Sequence, residues 1–182
     1  MTEQSESPRG RRRSRRTPAR DEAPITDPEK AREIALGILT RASRSTTQLR
    51  DGLVARRVEP GLAEEIVARY VEVGLVDDAG LAATIVRTRH AERGQSRRAI
   101  RVELARKGFD DDAIGSALDQ IDEDDERERA AALARRRWDQ LAAHPPEVRT
   151  RRVVAMLGRK GYPSSLAFAL VKHLRDADSE DD

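Results

Sequence analysis

A ten-residue segment occurs three times in the chain, as LRDGLVARRV at residues 49–58, IRVELARKGF at 100–109 and VVAMLGRKGY at 153–162. The first residues of the three copies are 49, 100 and 153, so the offsets are 51 and then 53 residues. Within each copy, apolar residues stand at the first, fifth and tenth positions, and a basic pair lies near the end. Apolar residues four apart are typical of an amphipathic helix. Three copies in register predict tandem helical repeats that stack on their neighbours.

Start and stop signals on either side of the first copy complete a three-helix unit. Asp27 followed by Pro28 predicts a helix start, and this helix should run to about residue 42. Ser45 with Gln48 matches a capping box, which predicts a second helix to about residue 57. A third helix is expected from Pro60 to the glycine at 74. Further helices are expected at about 77–93, 96–107, a segment bearing Ile114, Leu118 and Ile121, 124–142, 146–160 and 164–175.

These patterns predict an all-α fold of three tandem three-helix repeats, stacked into an elongated, curved rod. The repeats are expected at residues 28–76, 77–121 and 122–175. Residues 9–20 carry seven Arg and no acid, whereas residues 176–182 carry five acids and no base. Neither end has enough apolar surface to offset the entropy of ordering, so 1–27 and 176–182 are predicted to be disordered tails.

The composition limits both the core and the cellular setting. Hydrophobic and charged residues each make up 37% of the chain, which favours several narrow apolar stripes over one large core. The absence of cysteine excludes disulfides, zinc–thiolate sites and thiol nucleophiles. No apolar run approaches the roughly 18 residues that span a bilayer, and the N-terminus lacks the apolar region of a secretory signal. We therefore expect a soluble cytoplasmic protein that does not bind membranes.

The residues that usually perform catalysis are not arranged for it. His90, His144 and His173 are scattered and lack the spacing of a metal site or a catalytic triad. The acidic run at 122–128 is typical of a helix start, where the dipole favours negative charge. The segment GRKG at 158–161 ends a helix, whereas a phosphate-binding loop begins one. The sequence therefore predicts no catalytic residues, no metal and no cofactor, and hence a binding protein and not an enzyme.

The junction between the first two repeats carries a recognisable set of motifs. Residues 74–78 read GLVDD, Arg87 and Arg89 form an Arg-x-Arg pair, 94–97 read GQSR and 103–108 read ELARKG. This combination resembles the central signature of the RecX family, and the resemblance extends over about residues 30–174. The family commonly has an aromatic residue just after the Asp-Asp turn, where this chain has Leu81. The difference keeps an apolar contact and loses ring stacking, so no function is assigned to that position.

The resemblance implies a regulator of the RecA recombinase in homologous recombination, DNA repair and the SOS response. Proteins of this family are thought to place a basic concave surface in the groove of the RecA filament on DNA. The implied role is to lower the ATPase and strand-exchange activity of RecA. The partners implied are the RecA filament and single- or double-stranded DNA, bound through the backbone, and the chain is expected to be a monomer.

One stretch of the chain has the charge needed for such a surface. Eight basic residues lie between 87 and 107 against only Glu92 and Glu103, which could neutralise phosphates or meet an acidic protein face. The competing interpretation is a solvated helix face. The candidate filament- and DNA-binding residues are Arg87, Arg89, Arg93, Arg97, Arg98, Arg101, Arg106, Lys107, Arg159 and Lys160.

Two other functions remain open at this point. Pairs of short helices can mimic a helix-turn-helix, so a DNA-binding transcriptional regulator is one alternative. Such a regulator needs a base-reading helix, whereas here the basic residues are spread over the repeats and Asn is absent. The other alternative is a helical-repeat adaptor for a different protein. Indifference to both RecA and DNA would favour the adaptor.

Overall fold

The structure, a computed structural model, describes residues 23–180. The predictions for residues 1–22 and 181–182 lie outside this range. The described residues contain nine α-helices in chain order: α1 Pro28–Leu39, α2 Thr46–Val54, α3 Pro60–Glu72, α4 Asp78–Arg87, α5 Arg97–Arg106, α6 Asp111–Leu118, α7 Glu123–Asp139, α8 Pro146–Arg159 and α9 Ser164–Glu180. The prediction of an all-α fold of three three-helix repeats is confirmed.

Local capping explains why the helices begin where they do. The Asp27 side chain accepts from the Glu29 N–H, and Pro28 supplies the first helical position of α1. Ser45 caps α2 in a capping box with Gln48. Asp and Ser side chains also cap α4, α5, α6 and α7.

Each group of three helices buries a core of its own. We name them repeat 1 (α1–α3), repeat 2 (α4–α6) and repeat 3 (α7–α9), and each of the three core clusters lies within one repeat. The repeated positions of the ten-residue segment are buried in every copy, which follows from their helical spacing: Leu49, Leu53, Val58, Ile100, Leu104, Phe109, Val153, Leu157 and Tyr162. Each repeat is therefore held together by a thin apolar layer, and neighbouring repeats need other contacts to stay in register.

Those contacts join the middle helices end to end. Ser45, which caps α2, donates its hydroxyl to the Lys107 carbonyl at the end of α5, with Oγ and O 2.7 Å apart. The Ser96 N–H at the start of α5 donates in turn to the Lys160 carbonyl at the end of α8, at 2.9 Å. The two serines are 0% and 1% exposed. The positive end of one helix dipole thus meets the negative end of the next, which stabilises both junctions. We call these the repeat 1–2 joint and the repeat 2–3 joint.

A carboxylate from the following repeat completes each joint. Asp78, in the first turn of α4, accepts from both the backbone N–H and the hydroxyl of Thr46, at 2.9 and 2.8 Å. Glu126, in the first turn of α7, accepts from the Arg97 N–H at 2.8 Å. Both carboxylates satisfy an N–H that the first turn of a helix leaves without a partner inside the helix. The two joints are therefore built to the same plan.

The close approach at each joint requires glycine. Gly108 and Gly161 have φ values of +78° and +90°. A Cβ atom at Gly108 would lie 2.6 Å from the Cβ of Thr47, and one at Gly161 would lie 2.6 Å from the Cβ of Ala99. The equivalent residue of repeat 1 is Arg57, which also has a positive φ, 69°. Within residues 23–180, the Ile25 N–H donates to the Arg57 carbonyl at 2.7 Å and no start of another helix is joined there, so a side chain is accommodated.

The first helix of repeat 2 differs from a simple α-helix at its end. After α4, residues Thr88–Glu92 continue as a π-helical turn, where one helix to about residue 93 was expected. A π turn shifts the hydrogen-bond pattern of the backbone. Two basic side chains of repeat 3 donate to carbonyls here, Arg129 to Ala91 and Lys160 to Arg93. The turn is therefore part of the repeat 2–3 joint.

The last helix extends further than expected. α9 continues past Arg175 to residue 180, although this segment was predicted to be a disordered acidic tail. Asp178 explains the extension, since its carboxylate accepts from the indole N–H of Trp138 at 2.8 Å and pairs with Arg149 at 2.7 Å. The Arg149 guanidinium also lies 3.9 Å from the centre of the Trp138 ring. At the other end, Ile25 pairs with Val58 in a single β-bridge and packs on the core of repeat 1.

Candidate functional site

The structure separates the ten candidate basic residues into two groups. The half-buried members are bound to other parts of the chain: Arg89, Arg97, Lys107 and Lys160. The exposed members reach solvent: Arg87, Arg93, Arg98, Arg101, Arg106 and Arg159. Only the second group has its charge available to a partner.

Arg89 forms a two-pronged ion pair inside repeat 2. Its Nε and Nη2 atoms donate to the two carboxylate oxygens of Glu103, each at 2.7 Å. The side chains are only 19% and 25% exposed. The hydrogen bonds from Arg89 hold the pKa of Glu103 below its ordinary value, and the positive charges of Lys107 and Arg93 act in the same direction. Arg89 therefore ties the π turn to α5 and does not present its charge to solvent.

The side chains of Arg97 and Lys160 are held by backbone carbonyls, Arg97 within repeat 2 and Lys160 across the repeat 2–3 joint. The Arg97 guanidinium donates to the Ile121 carbonyl, and the Lys160 ammonium donates to the Arg93 carbonyl. Lys107 lies 4.0 Å from the Glu103 carboxylate. The acceptors of Arg97 and Lys160 lie 24 and 67 residues away, so the sequence offered no local signal for them, whereas Lys107 and Glu103 are only four residues apart.

The exposed face of α5 is basic along its whole length. Arg98 and Arg106 are eight residues apart, and Arg101 lies on the adjoining part of the same face. Val102 between them is 52% exposed. We call Arg98, Arg101, Val102 and Arg106 the α5 face. The described residues place no acid within ion-pair distance of its three arginines. An acidic partner can therefore approach the α5 face without first displacing an internal one.

A cleft of about 900 Å³ opens beside the α5 face, at the junction of repeats 2 and 3. Its basic lining comes from Arg97, Arg98 and Arg101 of α5 and from Arg127 of α7, and the sequence analysis did not single out Arg127. The lining also includes acids, Glu123 and Glu126, and apolar or small groups such as Leu118, Leu166 and Ala169. A wall of mixed charge with apolar patches suits a protein segment, since protein interfaces combine an apolar centre with a polar rim.

Some kinds of site do not occur in the part of the chain that the structure describes. Residues 23–180 contain no group of three or more His, Asp or Glu side chains placed to hold a metal ion. Over the same residues, no helix has both the length and the apolar character that crossing a membrane requires.

Comparison with protein families agrees with the arrangement of repeats. Residues 77–118 match the family model of the second three-helix domain of RecX. Residues 123–171 match the model of the third three-helix domain of RecX. The two matches cover α4–α6 and most of α7–α9, which are repeats 2 and 3 of the structure.

Individual relatives and solved structures extend the comparison over most of the chain. A regulatory protein RecX from Thermobifida fusca is 40% identical over 149 residues, which cover 82% of this chain and 80% of the relative. One from Mycobacterium marinum is 41% identical over 145 residues, covering 79% and 83%.

Among solved structures, RecX from Lactobacillus salivarius superposes with a TM-score of 0.69 at 20% identity, over 81% of this chain and 96% of that one. A second crystal structure, of a regulatory protein RecX, gives a TM-score of 0.66 at 26% identity, over 80% and 71%. At 20% identity the first superposition supports the fold alone. The relatives at 40% and 41% identity establish the family. The chain belongs to the RecX family of regulatory proteins, which is not a family of enzymes.

Proposed function

We propose that this chain regulates RecA by binding the RecA filament on DNA and lowering its ATPase and strand-exchange activity. Membership of the RecX family supports a regulatory role. The observation that carries the proposal is the α5 face, three exposed arginines next to a cleft of mixed charge at the junction of repeats 2 and 3. Arginines on a rigid helix can meet carboxylates or phosphates with two parallel hydrogen bonds.

The tandem construction suits a filament partner. Each repeat presents an equivalent middle helix, and the two joints keep these helices in a fixed relation. A filament is itself a repeating surface, so successive repeats can meet successive subunits or phosphates. Any contact with DNA is expected to follow its backbone. Of the five aromatic rings, Tyr70, Phe109, Trp138 and Tyr162 are buried, and only the Phe168 ring is exposed enough to stack on a base.

The test is a titration of the DNA-dependent ATPase of the cognate RecA. We expect the wild-type chain to inhibit at substoichiometric ratios, since one bound molecule can stop the growth of a filament. Arg98→Glu/Arg101→Glu should require a concentration higher by at least about tenfold, because two charge-assisted contacts are lost and repulsion replaces them. Arg97 is left intact in this variant because its guanidinium bonds the Ile121 carbonyl and supports the fold.

A charge-matched control separates the α5 face from general electrostatics. Lys30→Glu/Arg41→Glu makes the same change of charge at exposed positions of repeat 1 that lie outside its middle helix. It should inhibit like the wild type, and circular dichroism should show both variants to be helical. The proposal fails if the wild type has no effect on the ATPase at excess. The assignment to the α5 face fails if both variants inhibit equally well.

A further inference from the structure

A second basic surface lies on repeat 3, and of its residues the sequence analysis named only Arg159 as a candidate for binding. Four arginines and one alanine line a cleft of about 370 Å³: Arg137, Arg151, Arg152, Ala155 and Arg159. We call it the repeat-3 arginine cleft. Its lining contains no acid, and this separates it from the mixed-charge cleft between repeats 2 and 3.

The geometry of α8 brings three of these arginines onto one side. At about 100° per residue, Arg151, Arg152 and Arg159 fall within an arc of about 100° around the helix, with Ala155 between them. The buried residues Val153 and Leu157 lie on the opposite side and anchor α8 in the core of repeat 3. Arg137 joins the cleft from the last turn of α7. The arginines are thus presented by two helices that the core holds in place.

None of the four charges is neutralised within the described residues. Arg152 donates to Nε2 of His144 at 2.9 Å, and Arg137 donates to the side-chain oxygen of Gln140 at 3.2 Å. The ion pairs of the described residues involve other arginines, and none includes Arg151 or Arg159. Four like charges around one small cleft repel one another, so an anion that enters it is attracted by all four.

The repeat offset connects this cleft with the α5 face. An offset of 53 residues places Arg98 on Arg151 and Arg106 on Arg159, with Val102 on Ala155. The same arginine positions thus occur on the middle helices of two consecutive repeats, and the repeat 2–3 joint holds the start of α5 against the end of α8. Repeat 1 has Thr47 and Ala55 at these positions, so this pair of arginines occurs in repeats 2 and 3 and not in repeat 1.

We propose that the repeat-3 arginine cleft binds the phosphodiester backbone of a nucleic acid. A phosphate group accepts two hydrogen bonds from a guanidinium, and several arginines along a helix can hold consecutive phosphates. The lining offers only Ala155 as an apolar anchor, whereas a protein interface needs a larger apolar centre. This inference rests on the proposed function and assigns its DNA contact to repeat 3. Its test contains no RecA, so nucleic-acid binding by the cleft and regulation of RecA can each be refuted independently.

The experiment measures the binding of fluorescein-labelled polythymidine at several salt concentrations. Polythymidine is chosen because it carries phosphates without base-pairing partners. If Arg151 and Arg159 each neutralise one phosphate, Arg151→Gln/Arg159→Gln should bind more weakly and should lower the magnitude of the log–log salt slope by about 1.4. Both side chains are exposed on α8, so circular dichroism should show an unchanged helical content.

The control and two competitors define the outcomes. Lys30→Gln/Arg41→Gln removes two exposed charges from repeat 1, outside its middle helix, and should keep the wild-type slope. Equal slopes for the two double variants, or no binding by the wild type, would overturn the proposal. Inorganic phosphate that displaces polythymidine better than chloride at the same ionic strength would point to a site for free phosphate. Polyglutamate that competes as well as unlabelled polythymidine would point to an acidic protein. Either competition result contradicts the assignment to a nucleic-acid backbone.

Discussion

Tyr162 buries a hydroxyl group that has no hydrogen-bond partner among the described residues. Its side chain is 3% exposed, and its hydroxyl makes no hydrogen bond with any described residue. The same repeat position is Val58 in repeat 1 and Phe109 in repeat 2, both of them buried in their cores. Burial raises the pKa of Tyr162 to about 12, and the nearby charge of Glu126 acts in the same direction.

Tyr162→Phe should therefore stabilise the protein. The ring keeps its place in the core, and removing a buried hydroxyl that lacks a partner should raise the free energy of unfolding by about 1 kcal/mol near neutral pH. The folded-state pKa lies above the unfolded value of 10.0. The unfolded chain consequently loses this proton first, and the wild type loses stability as the pH rises from 10 toward 12. The advantage of the variant should grow in that window by on the order of 2 kcal/mol.

Urea unfolding of both proteins, followed by circular dichroism at neutral pH and across the alkaline window, measures this difference. A variant no more stable than the wild type at either pH would mean that the hydroxyl has a partner, such as an ordered water.

The arginines show how far a charge pattern can be interpreted from sequence. The high density of basic residues between 87 and 107 was visible, and Arg98, Arg101 and Arg106 are indeed exposed. Arg89 and Arg97 have the same residue type in the same run, yet Glu103 and the Ile121 carbonyl hold them. Glu103 lies on α5 and Ile121 just after α6, so only the packing of the helices distinguishes a structural arginine from an available one.

At the scale of the helices, local chemistry allowed most of the prediction. Caps such as Asp27 and Ser45 lie within a few residues of the N–H groups that they satisfy, so the starts of helices could be inferred from sequence. The π turn at 88–92 and the extension of α9 to residue 180 were not foreseen. Their stabilising contacts come from Arg129, Lys160 and Trp138, which are distant along the chain.

Substitution of glycine at a joint should cost more than substitution of glycine at a helix end. Gly74 and Gly108 both have a positive φ, 69° and 78°, but a Cβ atom at Gly74 would meet nothing within 4 Å. Gly74→Ala should therefore lose only about 1 kcal/mol, the penalty of a left-handed backbone. Gly108→Ala adds a collision with Thr47, and this overpacking should lower the free energy of unfolding by about a further 1–3 kcal/mol.

Urea unfolding of the two alanine variants gives the comparison directly, since each is the control for the other. Equal losses would show that the repeat 1–2 joint relaxes without strain, and that the contact of Gly108 with Thr47 does not hold the repeats in register.

At the scale of the whole molecule, the chain is a row of three small cores held together by two joints. Stacked repeats of this kind unfold as one unit only when the interfaces are strong enough to couple them. The protein contains an internal probe of this coupling. Its single tryptophan, Trp138, is fully buried in repeat 3, whereas far-ultraviolet circular dichroism reports on the helices of all three repeats.

In the wild type, urea should change the Trp138 fluorescence and the helical signal with the same midpoint, because the joints transmit the unfolding of one repeat to the next. In Gly161→Ala the new methyl group would lie 2.5 Å from the Oγ of Ser96 and 2.6 Å from the Cβ of Ala99, so the repeat 2–3 joint must open. Repeat 3 should then unfold at a lower urea concentration, and the fluorescence midpoint should fall below the midpoint of the helical signal. Gly74→Ala leaves both joints intact and should keep the two midpoints together. Coincident midpoints in Gly161→Ala would mean that contacts outside the joint couple repeats 2 and 3.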